Sequence, residues 1–331
     1  MSSTPSLLQM TAPLREDFDI PYHDIGPKTC PPKVALVAGV HGNELNGVFV
    51  LSRLAAFLNA AARGEQPGHE LHQRVVVIPA VNVLGLNTLS RRWPFDGTDI
   101  NRMFPGYTGG ETTQRIAHAV LEVTREATYR VDLHSSNLEF EELPQIRLYA
   151  PSDAERATAR CFGLPAIIER PMNTTFTSTI GHAWRQCGGE NFVVQAGHAG
   201  VLQPQHCERL FAALVRLLQH VGALSGALLS DEDSDVHYFG VDQTAPLISA
   251  HAGIFVSRLE VGRWVRSGEI IGQVYDSFDG ELRVEIRSPV AGLLSGLRRQ
   301  PLLCEGDLIA RIETRQAVPP GVDTYLHGQG Q

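Results

Sequence analysis

The sequence has few cysteines and no pattern that would pair them. Five cysteines among 331 residues are an odd number, and none has a partner at the C-x-x-C spacing that is typical of thiolate metal sites. We therefore expect reduced thiols, as in a cytoplasmic protein, rather than a disulfide framework. The five are Cys30, Cys161, Cys187, Cys207 and Cys304.

Long hydrophobic runs and concentrated basic charge are also missing. No apolar segment is long enough to cross a bilayer, and the N-terminus lacks the basic start and apolar core of a secretory signal. The net charge is −8, and the basic residues are scattered, whereas phosphate binding needs a basic footprint. We therefore expect neither a membrane nor a nucleic-acid partner.

What is present is an alternation of apolar strands and amphipathic helices. Short apolar runs bounded by Gly or Pro predict strands at 34–38, 74–79, 130–133, 146–149, 166–168 and 191–195. Apolar residues at helical spacing predict helices at 44–62, 112–125, 153–162, 178–187 and 204–221. This order predicts an α/β fold with a mostly parallel or mixed sheet and helices on both faces.

Changes in composition predict five parts along the chain. Residues 1–32 form a proline-containing polar arm, and residues 33–225 form the α/β domain. An acidic segment at 226–236 is typical of a linker. Short β-type pieces with glycine turns predict a small all-β domain at 237–315, and 316–331 is expected to be a flexible tail.

Three potential metal ligands lie at the ends of predicted strands. His41 and Glu44 follow the first strand, and His134 ends the strand at 130–133. Ligands bind at the carboxyl ends of strands in open α/β sheets, and two His with one Glu is a ligand set of catalytic zinc sites. Each residue alone would be a polar cap on the core, but their shared placement favours a site for one Zn²⁺ per chain.

The long segment at 82–110 carries residues that suit an anionic substrate. Arg102 offers a planar fork for a carboxylate, and Asn101 can donate beside it. Asp99 could hold the far nitrogen of a ligating His, while Arg92 or Arg91 could polarise a scissile carbonyl. The alternative, a surface loop with ordinary ion pairs, is less favoured beside a metal triad.

Three motifs in this order resemble the succinylglutamate desuccinylase/aspartoacylase family of zinc deacylases, which belong with the carboxypeptidase-like metallohydrolases. They are His-Gly-Asn-Glu at 41–44 with Gly47, Asp-Ile-Asn-Arg-Met-Phe-Pro-Gly at 99–106, and Asp-Leu-His at 132–134. The resemblance continues through 143–147 and the C-terminal segments 287–292 and 305–311, so it covers about residues 33 to 312.

The resemblance implies hydrolysis of the amide bond of an N-acylated amino acid or a related small carboxylate-bearing metabolite. By the same resemblance His41, Glu44 and His134 would bind the zinc ion. Asn101 and Arg102 would bind the substrate carboxylate.

The remaining family roles fall on the long loop. Asp99 would support His41, and Arg92 would polarise the carbonyl, with the adjacent Arg91 as the alternative.

One position departs from the family pattern. The family has a general-base Glu at the end of a late strand, and this sequence has Gln195 there. An amide cannot accept a proton near neutral pH, although it can hydrogen-bond a water. Three explanations stay open: another base, a substrate such as an ester that needs less assistance, or a protein that binds its ligand without turnover. The candidates for another base are His198, Glu139, Glu141 and Glu142.

The C-terminal region offers a second resemblance. Residues 288–292 resemble biotinyl- and lipoyl-carrier domains, which modify a lysine at a hairpin tip. Lys28 and Lys33 are the two lysines of the whole sequence and lie far upstream, so a carrier role is excluded and a lid or assembly role is expected. We expect a small-molecule substrate and leave assembly into a homo-oligomer open. A peptide carboxypeptidase is the weaker alternative function.

Overall fold

The computed structural model describes residues 5–11, 17–172, 176–227, 235–319, 322 and 325–326. Within them, thirteen strands form one mixed sheet. The other strands form a four-stranded sheet and two two-stranded sheets. The helices are α1 (Leu45–Ala62), α2 (Val83–Thr88), α3 (Thr112–Thr124), α4 (Asp153–Arg160), α5 (Ile180–Arg185) and α6 (Pro204–His220). Short 3₁₀ turns lie at Ile100–Arg102 and Phe176–Ser178.

Residues 6–226 supply the first eleven strands. They are β1 (Ser6–Met10), β2 (Phe18–Pro21), β3 (His23–Ile25), β4 (Val34–Val37), β5 (His69–Leu71), β6 (Val75–Ile78), β7 (Tyr129–Ser136), β8 (Phe140–Tyr149), β9 (Ala166–Arg170), β10 (Glu190–His198) and β11 (Leu224–Gly226).

The second half is made of short strands without a helix among its described residues. They are β12 (His237–Phe239), β13 (Thr244–Ser249), β14 (Gly253–Val256), β15 (Trp264–Val265), β16 (Ile270–Tyr275), β17 (Leu282–Arg287), β18 (Gly292–Arg298), β19 (Leu302–Leu303), β20 (Leu308–Glu313) and β21 (Tyr325–Leu326).

The centre of the main sheet confirms the predicted fold class. Strands β6, β4, β7 and β10 run parallel, and β8 continues the sheet antiparallel to β10. All four residues of β4 are buried because successive side chains enter opposite cores. Leu36 packs with α1 and α6 on one face, and Val37 packs with α3 and α5 on the other. Helices therefore cover both faces, as predicted.

Three regions differ from the sequence-based expectations. The N-terminal arm forms strands, and β3 pairs antiparallel with the edge strand β6. The segment at 82–110 contains α2 and a 3₁₀ turn. Helix α1 reaches the length and apolar content of a membrane span, although no such segment was expected; its apolar side chains pack in the sheet core, which accounts for that composition.

The C-terminal strands continue the main sheet. Strand β18 pairs antiparallel with β8 and with β20, and β12 pairs with β9, so hydrogen bonds cross the predicted domain boundary. Most of the predicted linker, residues 228–234, lies outside the described residues, as does most of the tail beyond 319. The division into five parts stays a prediction.

Candidate active site

The parallel strands deliver the predicted metal ligands to one edge of the sheet. Gly39 has φ of +62°, and a Cβ there would lie 2.9 Å from Ala80 Cα, so this turn after β4 suits glycine. The turn leads to His41, and Glu44 immediately precedes α1. His134 lies in the neighbouring strand β7, and Gln195 of β10 is its register partner. The sheet thereby aligns residues that are far apart in the sequence.

His41, Glu44 and His134 form a compact buried cluster. The Nδ1 atoms of the two imidazoles lie 2.7 and 2.9 Å from the two carboxylate oxygens of Glu44, and potential ligand atoms of all three residues lie within 4.8 Å of one another. Two imidazole nitrogens and a carboxylate are donors that suit zinc. The donor set therefore fits the expected metal.

A carboxylate stands behind each imidazole. Asp99 Oδ1 lies 3.1 Å from His41 Nε2, and Asp132 Oδ2 lies 2.7 Å from His134 Nε2. Such contacts fix the ring orientation and the tautomer of metal-binding histidines. The contact of Asp99 is predicted from the sequence, whereas no role is predicted for Asp132. The available signal was its position two residues before His134, which places both side chains on one face of β7.

The charges in this cluster shift one another's pKa values. Burial raises the pKa of Glu44, but the attraction and hydrogen bonds of the two histidines outweigh it and lower the pKa overall. Burial likewise disfavours the His134 imidazolium, and Asp132 and Glu44 outweigh it, raising that pKa to about 10. The cluster therefore concentrates negative charge where a cation would sit.

Asn101 and Arg102 lie beside the cluster of His41, Glu44 and His134. The Asn101 side-chain oxygen accepts a hydrogen bond from the Ile180 backbone at 3.1 Å, and its nitrogen lies 3.4 Å from His134 Nε2. Arg102 donates to the Asn101 carbonyl at 2.9 Å and lines the cavity in front of the cluster. Both residues thus line the cavity, with Asn101 anchored to α5, and their binding of a substrate carboxylate stays a prediction.

The structure places Arg91, rather than Arg92, at the cavity. Arg91 lies 3.3 Å from Glu44 Oε1 and 3.4 Å from Asp99 Oδ2. Arg92 is exposed and donates to the Gly97 carbonyl at 3.3 Å. The predicted carbonyl-polarising role of Arg92 therefore does not match this geometry, because the two neighbouring side chains leave the segment in different directions.

Gln195 lies in the wall of the cavity that His41, Glu44 and His134 also line. It is 5 % exposed, and the cavity it lines has a volume of about 370 Å³. Of the four alternative bases, Glu142 lines this cavity. His198 contacts the Ala199 carbonyl, Glu141 binds Gln203 and His206, and Glu139 is exposed, so none of these three faces the cluster.

Two arginines of the cavity were missed from the sequence. Arg147 of β8 and Arg311 of β20 line the cavity and both donate to Glu142. Arg311 and Glu142 are 169 residues apart, and no local pattern brings them together. The pairing of β18 with both β8 and β20 brings the two residues together, and the sequence does not show that pairing.

Comparisons with known proteins find a matching family and a sequence relative. The model of the succinylglutamate desuccinylase/aspartoacylase catalytic domain matches residues 30–221. The N-alpha-acetyl-L-2,4-diaminobutyric acid deacetylase of Halomonas elongata is 28% identical over 292 residues, covering 85% of this chain and 82% of the relative.

Solved structures show the same fold. The product-bound ectoine utilization protein of Ruegeria pomeroyi has a TM-score of 0.76 at 24% identity and covers 93% of both chains. A succinylglutamate desuccinylase/aspartoacylase from Rhodobacter sphaeroides has a TM-score of 0.74 at 23% identity, covering 90% of this chain and 89% of that one. The family model spans more than half of the sequence, and the chain therefore belongs to the succinylglutamate desuccinylase/aspartoacylase family.

Proposed function

We propose that this protein is a zinc-dependent deacylase that hydrolyses the amide bond of an N-acylated amino acid or a related small carboxylate-bearing metabolite. The observation that carries the proposal is the convergence of His41 and His134 on Glu44 at the wall of a substrate-sized cavity. The name of the Halomonas relative, a deacetylase of an N-acetylated amino acid, supports the same type of reaction.

Each nearby residue has a task in this reaction. Zinc held by the three ligands would lower the pKa of a bound water and act as a Lewis acid toward the acyl carbonyl. Asp99 and Asp132 hold the imidazoles in orientation. Arg102 binds the substrate carboxylate, and Arg91 takes the carbonyl-polarising role first predicted for Arg92, because its guanidinium lies beside Glu44.

Because position 195 carries an amide, we expect hydrolysis to be slow. Its amide oxygen can accept a hydrogen bond and so orient the attacking water, but it takes no proton. The remaining carboxylate of the cavity, Glu142, is engaged by hydrogen bonds from two arginines, Arg147 and Arg311. Transfer of a proton to the leaving amine is therefore the weak step.

The presence of Gln195 at the base position favours a second candidate function, a catalytically silent metal-containing binding protein. A cavity with an intact ligand set and an amide at the base position could bind a small molecule without hydrolysing it. Here Gln195 would serve in ligand binding alone.

Metal content and turnover separate these candidates. The purified, folded wild type should carry about one zinc per chain, and the His134→Ala variant should lose it. Amine release from a panel of N-acyl amino acids then decides. Turnover by wild type excludes the silent binder, and turnover by Gln195→Glu alone identifies a deacylase scaffold that has lost its base. Activity on longer peptides but not on acyl amino acids would instead indicate the carboxypeptidase.

A further inference from the structure

The end of strand β10 departs from regular pairing directly after Gln195. Strand β10 advances three residues, from Gln195 to His198, while its neighbour β7 advances two, from His134 to Ser136. One extra residue in β10 is a β-bulge, and a bulge bends the strand and redirects the side chains next to it. The place of the Gln195 side chain therefore depends on what holds this bulge.

Two side-chain amides hold the bulge on both sides of Gly197. The Asn46 amide nitrogen donates to the Ala196 carbonyl at 3.3 Å. The Gln203 side-chain oxygen accepts a hydrogen bond from the His198 backbone N–H at 2.9 Å. Gly197 has φ of +70°, and a Cβ there would lie 2.0 Å from Gln203 Oε1 and 2.6 Å from Asn46 Nδ2. Glycine at this position thus lets both amides reach the backbone.

Asn46 and Gln203 also bind each other. Asn46 Nδ2 donates to Gln203 Oε1 at 3.2 Å, and the Gln203 backbone N–H donates to Asn46 Oδ1 at 2.9 Å. Asn46 is fully buried and lies in the first turn of α1, two residues after Glu44. A second contact joins the same segments, since the Gly200 N–H donates to the Asn43 carbonyl at 2.8 Å. The amide pair therefore connects the segment that carries Glu44 with the end of β10.

Glu141 of β8 fixes the orientation of the Gln203 amide. Gln203 Nε2 donates to Glu141 Oε1 at 2.7 Å, so its Oε1 is left to accept from Asn46 and from the bulge. Gln203 is the N-cap residue of α6, but its side chain does not cap that helix. Neither Gln203 nor Asn46 nor Glu141 is among the described residues that line the cavity. We therefore expect all three to act through the bulge rather than on a substrate.

We propose that Asn46 and Gln203 are positioning residues that set the place of the Gln195 side chain beside the three candidate metal ligands. Glu141 keeps Gln203 in the orientation that this requires. A misplacement of about 1 Å can lower a rate about a hundredfold, so the amide pair matters to hydrolysis although it lies outside the cavity. The inference rests on the proposed deacylase function for its turnover readout alone, because the position of a side chain can also be measured without turnover.

A change of one hydrogen-bonding group tests the proposal. Gln203→Glu places a second carboxylate against Glu141, and at about pH 8 their repulsion should displace the side chain from the bulge. We expect kcat on the best N-acyl amino acid to fall about tenfold or more, with KM nearly unchanged and zinc loading held equal. In the Gln203→Glu/Glu141→Gln double variant an amide again faces a carboxylate, so most of the lost kcat should return. A loss that the double variant does not recover would overturn the proposal.

The matched control is Gln205→Glu, which adds the same charge at an exposed position of the same helix and should keep wild-type kcat. Gln203→Met keeps the length of the side chain and removes both hydrogen-bonding groups, so it serves if Gln203→Glu does not fold.

Dependence on Gln195 distinguishes positioning from a general structural role. In a Gln195→Ala background, Gln203→Glu should lower kcat no further, because the group that it misplaces is already absent. A fall of the same size as in the wild-type background would overturn the proposal. So would a folded, zinc-loaded Gln203→Glu that keeps wild-type kcat.

Nuclear magnetic resonance of the Gln195 side chain gives a readout that needs neither zinc nor turnover. Its side-chain NH₂ signal is assigned by its absence in Gln195→Glu. We expect this signal to move in Gln203→Glu, to return in the double variant, and to stay in place in Gln205→Glu. That pattern in a protein without hydrolytic activity would support the positioning role and refute only the deacylase function. A signal that moves in neither Gln203→Glu nor Gln203→Met would overturn the proposal.

Discussion

At the scale of single residues, the proposed hydrolysis depends most on the amide of Gln195. Gln195 is the register partner of His134 and is 5 % exposed. Its amide group therefore occupies a buried position beside the three candidate metal ligands. A carboxylate in that place could exchange protons with water and the leaving amine, whereas an amide can only hydrogen-bond. The difference is one of chemistry and not of shape.

We therefore expect Gln195→Glu to raise kcat by about a hundredfold, because a positioned acid/base typically contributes two to four orders of magnitude. The measurement is amine release from the best N-acyl amino acid at neutral pH with zinc loading held equal. The control is Gln9→Glu, which adds the same charge at an exposed position of β1. An unchanged or lower kcat in a fully zinc-loaded Gln195→Glu would show that the proton is handled elsewhere.

Asp132 allows a second test at this scale. Asp132→Asn keeps the shape but weakens the contact of 2.7 Å to His134, and loss of such partners typically lowers metal affinity about 10- to 100-fold. Competition with a zinc-binding dye measures the change. The exposed Asp242→Asn is the control. Wild-type zinc affinity in Asp132→Asn would mean that the carboxylate does not hold the ligand.

At the scale of elements, strands buried on both faces were predictable and polar strands were not. The apolar runs of β4, β6, β7 and β10 were found from the sequence to within a few residues. Strand β8 begins at Phe140, six residues before the predicted start. Its early positions include Glu141, Glu142 and Gln145, which are polar yet buried. Glu141 binds Arg299 and Glu142 binds Arg311, both of which come from distant elements, so no local pattern could reveal the strand.

The turn between β4 and α1 lies in close backbone contact with helix α2. A Cβ at Gly42 would lie 2.1 Å from the Gly85 carbonyl carbon in α2. Gly42→Ala must therefore displace the loop between His41 and Glu44, and we expect weaker zinc binding with a stability loss of about 1–3 kcal/mol. Zinc titration and thermal unfolding measure both effects.

Gly109→Ala is the matched control, because its nearest neighbour would be a Tyr107 ring atom at 3.7 Å. This variant should keep wild-type zinc affinity and melting temperature. Tight zinc binding by Gly42→Ala would show that the loop does not depend on this approach.

Glu141 joins three elements and makes their association dependent on pH. It accepts hydrogen bonds from His206 of α6 at 2.9 Å and from Arg299 after β18. Burial raises its pKa, but these contacts outweigh burial and hold the pKa at about 2. Since the folded-state pKa lies below the unfolded value, the stabilisation is complete above about pH 4.5 and is lost as the pH falls toward 2.

We expect Glu141→Gln to lower the free energy of unfolding by on the order of 2 kcal/mol at pH 7 and by about half as much at pH 3. Urea unfolding at the two pH values measures the difference, with the exposed Glu281→Gln as control. A loss of equal size at both pH values would mean that the charge of Glu141 does not matter.

At the scale of the whole molecule, the α/β fold class and the three ligand candidates could be predicted, because each depends on a local motif at a strand end. The pairing between the α/β region and the C-terminal strands could not be predicted. Strand β18 pairs with β8 only in the folded sheet, and that pairing brings Arg311 to the cavity. A small all-β domain was expected because the composition changes along the chain before residue 237. Composition does not show which strands pair.

The most direct test of the central claim is amine release from N-acyl amino acids by wild type shown to carry about one zinc per chain. We predict measurable turnover that disappears together with the zinc in His134→Ala. Folded, zinc-loaded protein that releases no amine from any N-acyl amino acid, either as wild type or as Gln195→Glu, would contradict the assignment as a deacylase.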